Sequence, residues 1–286
     1  MAHSYIQLYD DEYEAFLSYA KQQPDNCTFL VDTYDSLKSG VPNAIRVAKE
    51  YLMPSGYQLK AIRLDSGDLA YLAKNARKML DEADLHDVKI MVSNSLNEFL
   101  IEDLLNQGAP IDLFGVGENL ITSASAPVLG GVYKVVAYEK GGEIIPTIKI
   151  SDNVEKVTTP GYKKVYRFYD EDNKAIADLI TLADEAVGLD GYELFDPVSP
   201  WKRKYITNYR LRLLQEEIFV AGSLVYNLPS TKEVISYHQE EMATLWEEVK
   251  RLRNPHNYYV DLSQKLFDLK NDLIAYHRKK SSGSKE

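Results

Sequence analysis

The chain has a single cysteine, Cys27, in 286 residues. An internal disulfide is therefore excluded, and the thiol usage fits a reducing cytoplasm. No apolar run approaches the roughly 20 residues that cross a bilayer, and Met1-Ala2-His3-Ser4 opens no signal peptide. Positive charge is in short supply: 33 Lys and Arg stand against 43 Asp and Glu, for a net charge of -10. That balance argues against nucleic acid or an anionic membrane as a partner. The basic clusters Lys202-Arg203-Lys204 and Lys250-Arg251-Arg253 are interleaved with acidic residues and read as solvated faces. There is no zinc spacing, no serine-centred elbow, no Walker loop and no complete G-x-G-x-x-G. His86, His238, His256 and His277 stand in polar or helical surroundings without metal-ligand spacing, so they read as structural or exposed.

What remains is a globular composition, long enough for one large or two ordinary domains. Its organising stretch is Ile62-Arg63-Leu64-Asp65-Ser66-Gly67-Asp68-Leu69. Tyr57 to Leu64 reads as a buried strand, and Gly67 permits a sharp turn. Leu69, Leu72, Ala73, Ala76, Met79, Leu80 and Ala83 then recur at helical spacing. Ser66 or Asp68 supplies the cap. The same unit recurs around it. Thr28–Val31 is a strand ending in Asp32-Thr33-Tyr34-Asp35, with a helix from Pro42. Val88–Val92 ends in Ser93-Asn94-Ser95, and Ile111–Phe114 ends in Gly115-Val116-Gly117-Glu118. Strands alternating with helices predict a parallel sheet with right-handed crossovers.

Residues at the carboxyl ends of successive parallel strands converge on one face. Asp32, Arg63 with Asp65, Ser93 with Asn94, and Gly115 with Gly117 fall there. Each is also an ordinary turn residue; four sets in succession, one of them with an arginine, indicate a site. Backbone N–H groups around Gly115, Gly117 and Glu118 suit a phosphate. Arg63 suits a carboxylate or phosphate fork. Asp65 and Asp68 suit sugar hydroxyls or Mg²⁺. His3 offers a base, a ligand or a nucleophile, although its position alone suggests a frayed terminus.

Beyond Thr122 the pattern becomes β-rich. Leu129 to Ala137, Ile144 to Ile150, Lys164 to Tyr169 and Ala175 to Leu182 are expected strands, and Asp152 to Gly161 is a polar connection. From Pro197 the chain reads as mainly helical. Met242, Leu245, Trp246, Val249 and Leu252 form a core stripe, and Ser263 to Tyr276 forms a last helix. The expected divisions are an active-site region over 1–125, a β-rich segment over 126–190, a mainly helical part over 191–278 and a disordered tail over 279–286.

Several stretches together resemble the nicotinate phosphoribosyltransferase family, and specifically the C-terminal portion of a bacterial member. They are Ala2-His3-Ser4, Leu30 to Asp35, Ile62 to Leu69, Val92-Ser93-Asn94, Phe114 to Ser123 and Leu129 to Ala137. Lys149 to Gly161, Pro200-Trp201-Lys202, Leu245 to Lys250 and Asn254-Pro255-His256 extend the resemblance over essentially the whole chain. It implies a fold like the type II phosphoribosyltransferases. The first part would then be a partial α/β barrel of four consecutive β/α units, followed by the β-rich and helical parts. It implies ATP-coupled conversion of nicotinate and phosphoribosyl pyrophosphate to nicotinate mononucleotide and pyrophosphate, supported by Mg²⁺, in NAD synthesis.

By that resemblance His3 falls on the histidine that ATP phosphorylates, with Ser4 beside it near the substrate. Arg63 falls on a substrate-binding arginine. Asp32, Asp65 and Asp68 line the ribose and metal region, with Ser93 and Asn94 at the substrate, and Gly115, Gly117 and Glu118 hold the 5′-phosphate. Glu118 stands where many members carry Thr or Ser, so N–H donors would have to hold that phosphate. Family members have a substantial region before the histidine motif, which supplies further barrel strands and nicotinate contacts, partly across a dimer interface. A homodimer or a complementing N-terminal fragment is the expected partner. Four parallel strands cannot close a barrel, so a bare edge and exposed apolar surface are expected, with poor solubility or no turnover for the chain alone. The competing reading is a non-catalytic remnant or subunit that binds phosphorylated ligands or a partner chain.

Overall fold

The structure, a computed structural model, describes residues 1–153 and 156–282. It divides into two compact units, Met1–Gly130 and Gly131–Glu286.

In the first unit, Ile6 anchors a one-turn helix, α1 (His3–Ile6), in the core. Helix α2 (Glu12–Gln22) starts on the Asp11 cap and buries Ala15, Phe16 and Ala20 at helical spacing. Phe16 stacks on Phe29 of β1 (Thr28–Leu30), with centroids 4.6 Å apart. Asp35 then caps a short turn by accepting from Leu37 and Lys38, and α3 (Val41–Val47) follows with Pro42 in its first turn. Strand β2 (Ala61–Leu64) is shorter than the expected Tyr57–Leu64: Lys60 bonds to Cys27 and Lys89 just ahead of it, while the Tyr57 N–H turns back to the Leu52 carbonyl. Helix α4 (Leu69–Glu82) starts on Asp68, whose carboxylate accepts from Tyr71 N–H at 3.0 Å, and buries Leu69, Ala70, Ala73, Ala76 and Leu80. Strand β3 (Lys89–Ser93), helix α5 (Glu98–Asn106), strand β4 (Leu113–Gly115) and the single turn α6 (Glu118–Ile121) complete the unit.

The four strands form one parallel sheet in the order β1-β2-β3-β4. Their carboxyl ends therefore share one edge. Within the described residues the sheet is open, and Leu105, Leu113, Leu120 and Ile121 are exposed. Gly40 sits against the backbone of Val31, where an added Cβ would overlap the Val31 carbonyl group. Because that neighbour is backbone beside β1, it cannot swing aside. Gly40→Ala is expected to cost about 1–3 kcal/mol, read as a lowered urea midpoint.

The second unit is mainly antiparallel. A hairpin, β5 (Ala137–Lys140) and β6 (Glu143–Pro146), precedes β7 (Lys163–Tyr169) and β8 (Ala175–Leu182). After them come β9 (Tyr192–Phe195), β10 (Arg203–Ile206), β11 (Arg210–Leu213), β12 (Phe219–Val220) and β13 (Ser223–Leu224). Helix α7 (Thr231–Thr244), strand β14 (Val260–Leu262) and helix α8 (Gln264–Ser282) close it. The principal sheet has the order β11-β7-β8-β14.

Three expectations need correction here. The region from 191 is not mainly helical: it holds five strands before α7, of which β9 pairs with β10, β12 pairs with β13, and β11 joins β7. The stripe through Met242 to Leu252 is not a core helix. The chain leaves α7 at Leu245, in an extended conformation, and Met242, Trp246 and Leu252 are exposed. Residues 129–136 form no strand: 129–135 are exposed, only Val136 accepts backbone bonds, from Thr147 and Gly161, among the described residues, and the strand expected over 144–150 ends at Pro146. Helix α8 runs on through Ser282. Residues 283–286 of the expected tail, and 154–155 of the polar connection, lie outside the described residues. No helix among the described residues is long and apolar enough to cross a membrane.

Candidate active site

At the carboxyl edge of the parallel sheet, four segments meet around His3. Its position is fixed from behind. Ile6 is fully buried, and the Tyr5 hydroxyl lies 3.1 Å from that of Tyr9 and 3.2 Å from Ser18 Oγ on α2. His3 is thus held in a structured turn.

The His3 ring faces three side chains. Nδ1 is 3.1 Å from Thr33 Oγ1. Nε2 is 3.9 Å from Asp32 Oδ1 and 3.8 Å from Asp65 Oδ2. Nε2 thus faces the two carboxylates, while Nδ1 faces the Thr33 hydroxyl.

The carboxylates are themselves held. Asp32 Oδ2 accepts from the Asp65 N–H at 2.9 Å and from Ser66 Oγ at 2.6 Å. Asp65 accepts from the Ser93 hydroxyl and lies 3.9 Å from the Arg63 guanidinium. Register explains the grouping: Arg63 pairs with Leu30 on one side and Met91 on the other, and Ser93 pairs with Gly115. Two polar atoms are left over. Asp32 Oδ1 and Arg63 Nε are buried with no hydrogen-bond partner, although the Asp32 side chain is only 2% exposed. Burial of an unpaired acceptor and an unpaired donor is costly, and both are free to pair with a ligand.

Of the residues singled out in the sequence, His3, Asp32, Arg63, Asp65 and Ser93 are brought together. Asp68 is occupied as the α4 cap. Ser4 is exposed on α1 and makes no side-chain hydrogen bond among the described residues. Asn94 is exposed in the left-handed region (φ 82°), its Oδ1 accepting from Ser95 Oγ. Gly115 is packed: a Cβ there would stand 3.2 Å from Ser93 Cβ. Gly117 and Glu118 open α6 on the exposed side, and a Cβ on Gly117 would meet nothing, so space is left above that turn. Thr33 and Ser66 are additions. The D-T-Y-D and D-S-G-D strings contained them, but their bonds span 30 and 34 residues, which spacing within a motif does not reveal.

The comparisons with known proteins follow this geometry. The chain superposes on the crystal structure of human nicotinic acid phosphoribosyltransferase with a TM-score of 0.70 and 31% identity, over 92% of this chain and 50% of that one. That match defines a mixed α/β protein with the fold of the type II phosphoribosyltransferases. Residues 162–270 match the nicotinate phosphoribosyltransferase C-terminal domain. The Bacillus subtilis nicotinate phosphoribosyltransferase is 49% identical over 282 residues, 98% of this chain and 56% of the relative. The Dictyostelium discoideum enzyme of the same name is 36% identical, over 92% of this chain and 46% of its own length. The chain is therefore a member of the nicotinate phosphoribosyltransferase family along nearly its whole length, and it spans about half the length of the curated relatives it matches.

Proposed function

We propose that this chain supplies the phosphohistidine side of an ATP-coupled nicotinate phosphoribosyltransferase, forming nicotinate mononucleotide and pyrophosphate in NAD biosynthesis. One observation carries the reading: His3 is set between a hydroxyl and two carboxylates, within a cluster that includes an arginine with an unpaired buried N–H.

The chemistry follows from that setting. With Nε2 protonated and facing Asp32 and Asp65, the ring would present the Nδ1 lone pair to the γ-phosphorus of ATP once the Thr33 hydroxyl turns away from it. The Nδ1–P bond forms as the bond to the bridging oxygen breaks, and ADP departs. The imidazolium charge left on the phosphorylated ring is stabilised by the same two carboxylates. In the transfer step the pyridine nitrogen of nicotinate attacks the anomeric carbon as the C–O bond to pyrophosphate breaks. Positive charge grows on the ribose near Asp32 and Asp65, and negative charge on the leaving group that Arg63 would clamp. Gly117 and Glu118 N–H groups would receive the 5′-phosphate.

Magnesium fits this residue set in a limited way. No group of three or more His, Cys, Asp or Glu among the described residues could hold a metal, but Mg²⁺ is commonly held by one or two carboxylates with substrate phosphates and water. Asp32, through its unpaired Oδ1, and Asp65 would hold it, and it would offset charge on the pyrophosphate. The partner is a second copy or an N-terminal segment that covers the open sheet, and the compartment is the cytoplasm.

The test is labelling. Incubation with γ-labelled ATP is expected to give acid-labile, base-stable label on the chain, and His3→Ala is expected to remove it completely. Equal label in His3→Ala would overturn the assignment.

A further inference from the structure

The second unit contains a cavity of about 330 Å³ built from β8, β9, β10 and β14. None of its residues belongs to the histidine cluster. Ile176, Leu194 and Phe195 form apolar walls, and Tyr259 lies at the side. Asp261 of β14 opens into it. This residue is 4% exposed, and its carboxylate has no hydrogen-bond or ion-pair partner among the described residues. Burial, together with the like charge of Asp196, pushes its carboxyl up to about 6. Asp196 lines the same cavity, with Oδ1 accepting from the Val198 N–H at 2.8 Å.

A buried carboxylate without a donor weakens the fold that contains it. Arg203, the adjacent cation, does not answer it. Its guanidinium pairs with Glu193 at 2.6 Å and lies over the Phe195 ring at 4.7 Å. Lys202 and Lys204 on either side of it also line the cavity; both are exposed, and neither has an acidic partner among the described residues.

The cavity lining thus combines the Asp261 and Asp196 carboxylates with the ammonium groups of Lys202 and Lys204. A carboxylate accepts and never donates while ionised, so the matching group must present donors alone. A flat pair of adjacent N–H groups fits its two oxygens best. An aromatic and aliphatic wall favours a planar group, and the lysines favour an anion.

We propose that this cavity is a second ligand site, taking a small molecule with a flat pair of adjacent N–H donors at one end and an anion at the other. A guanine nucleotide and free arginine both have this chemistry.

The test is calorimetric titration of the full chain with GMP and with arginine. AMP presents a ring acceptor beside its amine, and agmatine lacks the anion, so each serves as the matched control. One of the two probes is expected to bind, with its control at least about tenfold weaker, the loss of one charge-assisted hydrogen bond. Asp261→Asn is expected to lose about tenfold or more in affinity and at the same time to melt at a higher temperature, because an unpaired buried charge has gone. The double variant Lys202→Ala, Lys204→Ala is expected to weaken binding without changing the melting temperature. Binding by neither probe at millimolar concentration, or binding that Asp261→Asn leaves unchanged, would overturn the proposal. The His3→Ala variant should bind as the parent does, which separates this site from the sheet-edge cluster.

Discussion

Asp178→Ala is expected to lower the stability of the second unit by about 3–5 kcal/mol, the cost of stranding a buried partner charge. Asp178 lies on β8 opposite Arg167 of β7. It accepts two bonds from that guanidinium, Nε at 2.8 Å and Nη2 at 2.9 Å, and a third from the Tyr258 hydroxyl at 2.8 Å. The two side chains are 19% and 11% exposed, so solvent screens the pair little. The pair raises the Arg167 pKa, and burial beside Asp178 raises that of Tyr258. These shifts favour the guanidinium and the neutral phenol. Arg167 also reaches Glu241 of α7 at 3.4 Å, and Glu241 takes a fork from Arg212 at 2.7 Å on each oxygen. One carboxylate thus ties strands β7 and β8 to the segment before β14, and through Arg167 to α7.

Removing Asp178 leaves Arg167 and Tyr258 without their acceptor, and chemical denaturation would read the loss. The double replacement Arg167→Met, Asp178→Leu removes both charges together and is expected to recover most of the stability, since a buried pair is often no better than an apolar isostere. A loss below about 1 kcal/mol for Asp178→Ala, the range of an exposed pair, would contradict the network.

The fold was legible in the sequence where local signals agreed with the long-range result. In α4 the Asp68 cap and the spacing of Leu69, Ala73, Ala76 and Leu80 pointed to one helix, and one helix is present. The four strands with polar carboxyl ends were readable because a parallel sheet buries near-continuous apolar runs. In the second unit the signals conflicted. Arg203-Lys204-Tyr205-Ile206 and Arg210-Leu211-Arg212-Leu213 are rich in residues that suit a helix, yet they form strands by pairing with β9 and β7. Tertiary pairing outweighs propensity there. The apolar spacing through Met242 and Trp246 likewise predicted continued helix, but α7 ends at Thr244, whose hydroxyl bonds back to the Glu241 carbonyl. The site was legible in residue type and not in geometry. His3 reads as a loose end until Tyr5 and Ile6 are seen to anchor it. Thr33 reads as a turn residue until its hydroxyl is found 3.1 Å from the imidazole.

In the proposed transfer, with the chain complemented by its partner, Arg63→Lys is expected to lower the rate by about 100- to 1000-fold, the usual consequence of losing one preorganised donor to a developing negative charge. Lysine keeps the charge and loses the fork. Arg63 is half-buried on β2, its Nε has no partner, and Asp65 at 3.9 Å is too distant for a hydrogen bond. In the free protein the side chain therefore contributes little to the fold. Its unpaired N–H is a cost that a pyrophosphate oxygen would offset. The two roles separate in experiment. If Arg63 serves the ligand, the lysine variant melts no lower than the parent, while calorimetry shows phosphoribosyl pyrophosphate bound about 10- to 100-fold more weakly, the loss of a hydrogen bond to a charged group. If Arg63 serves the sheet, melting falls and affinity is kept. Asp65 should respond differently, because its carboxylate also orders Ser93 and faces His3; Asp65→Asn would lower phosphohistidine formation as well as transfer. Loss of transfer alone in Arg63→Lys, against loss of both steps in Asp65→Asn, follows from where the two side chains stand. Asp65 stands between Arg63, 3.9 Å away, and the His3 imidazole, 3.8 Å away, so in the proposed reaction Arg63 would face the leaving group alone.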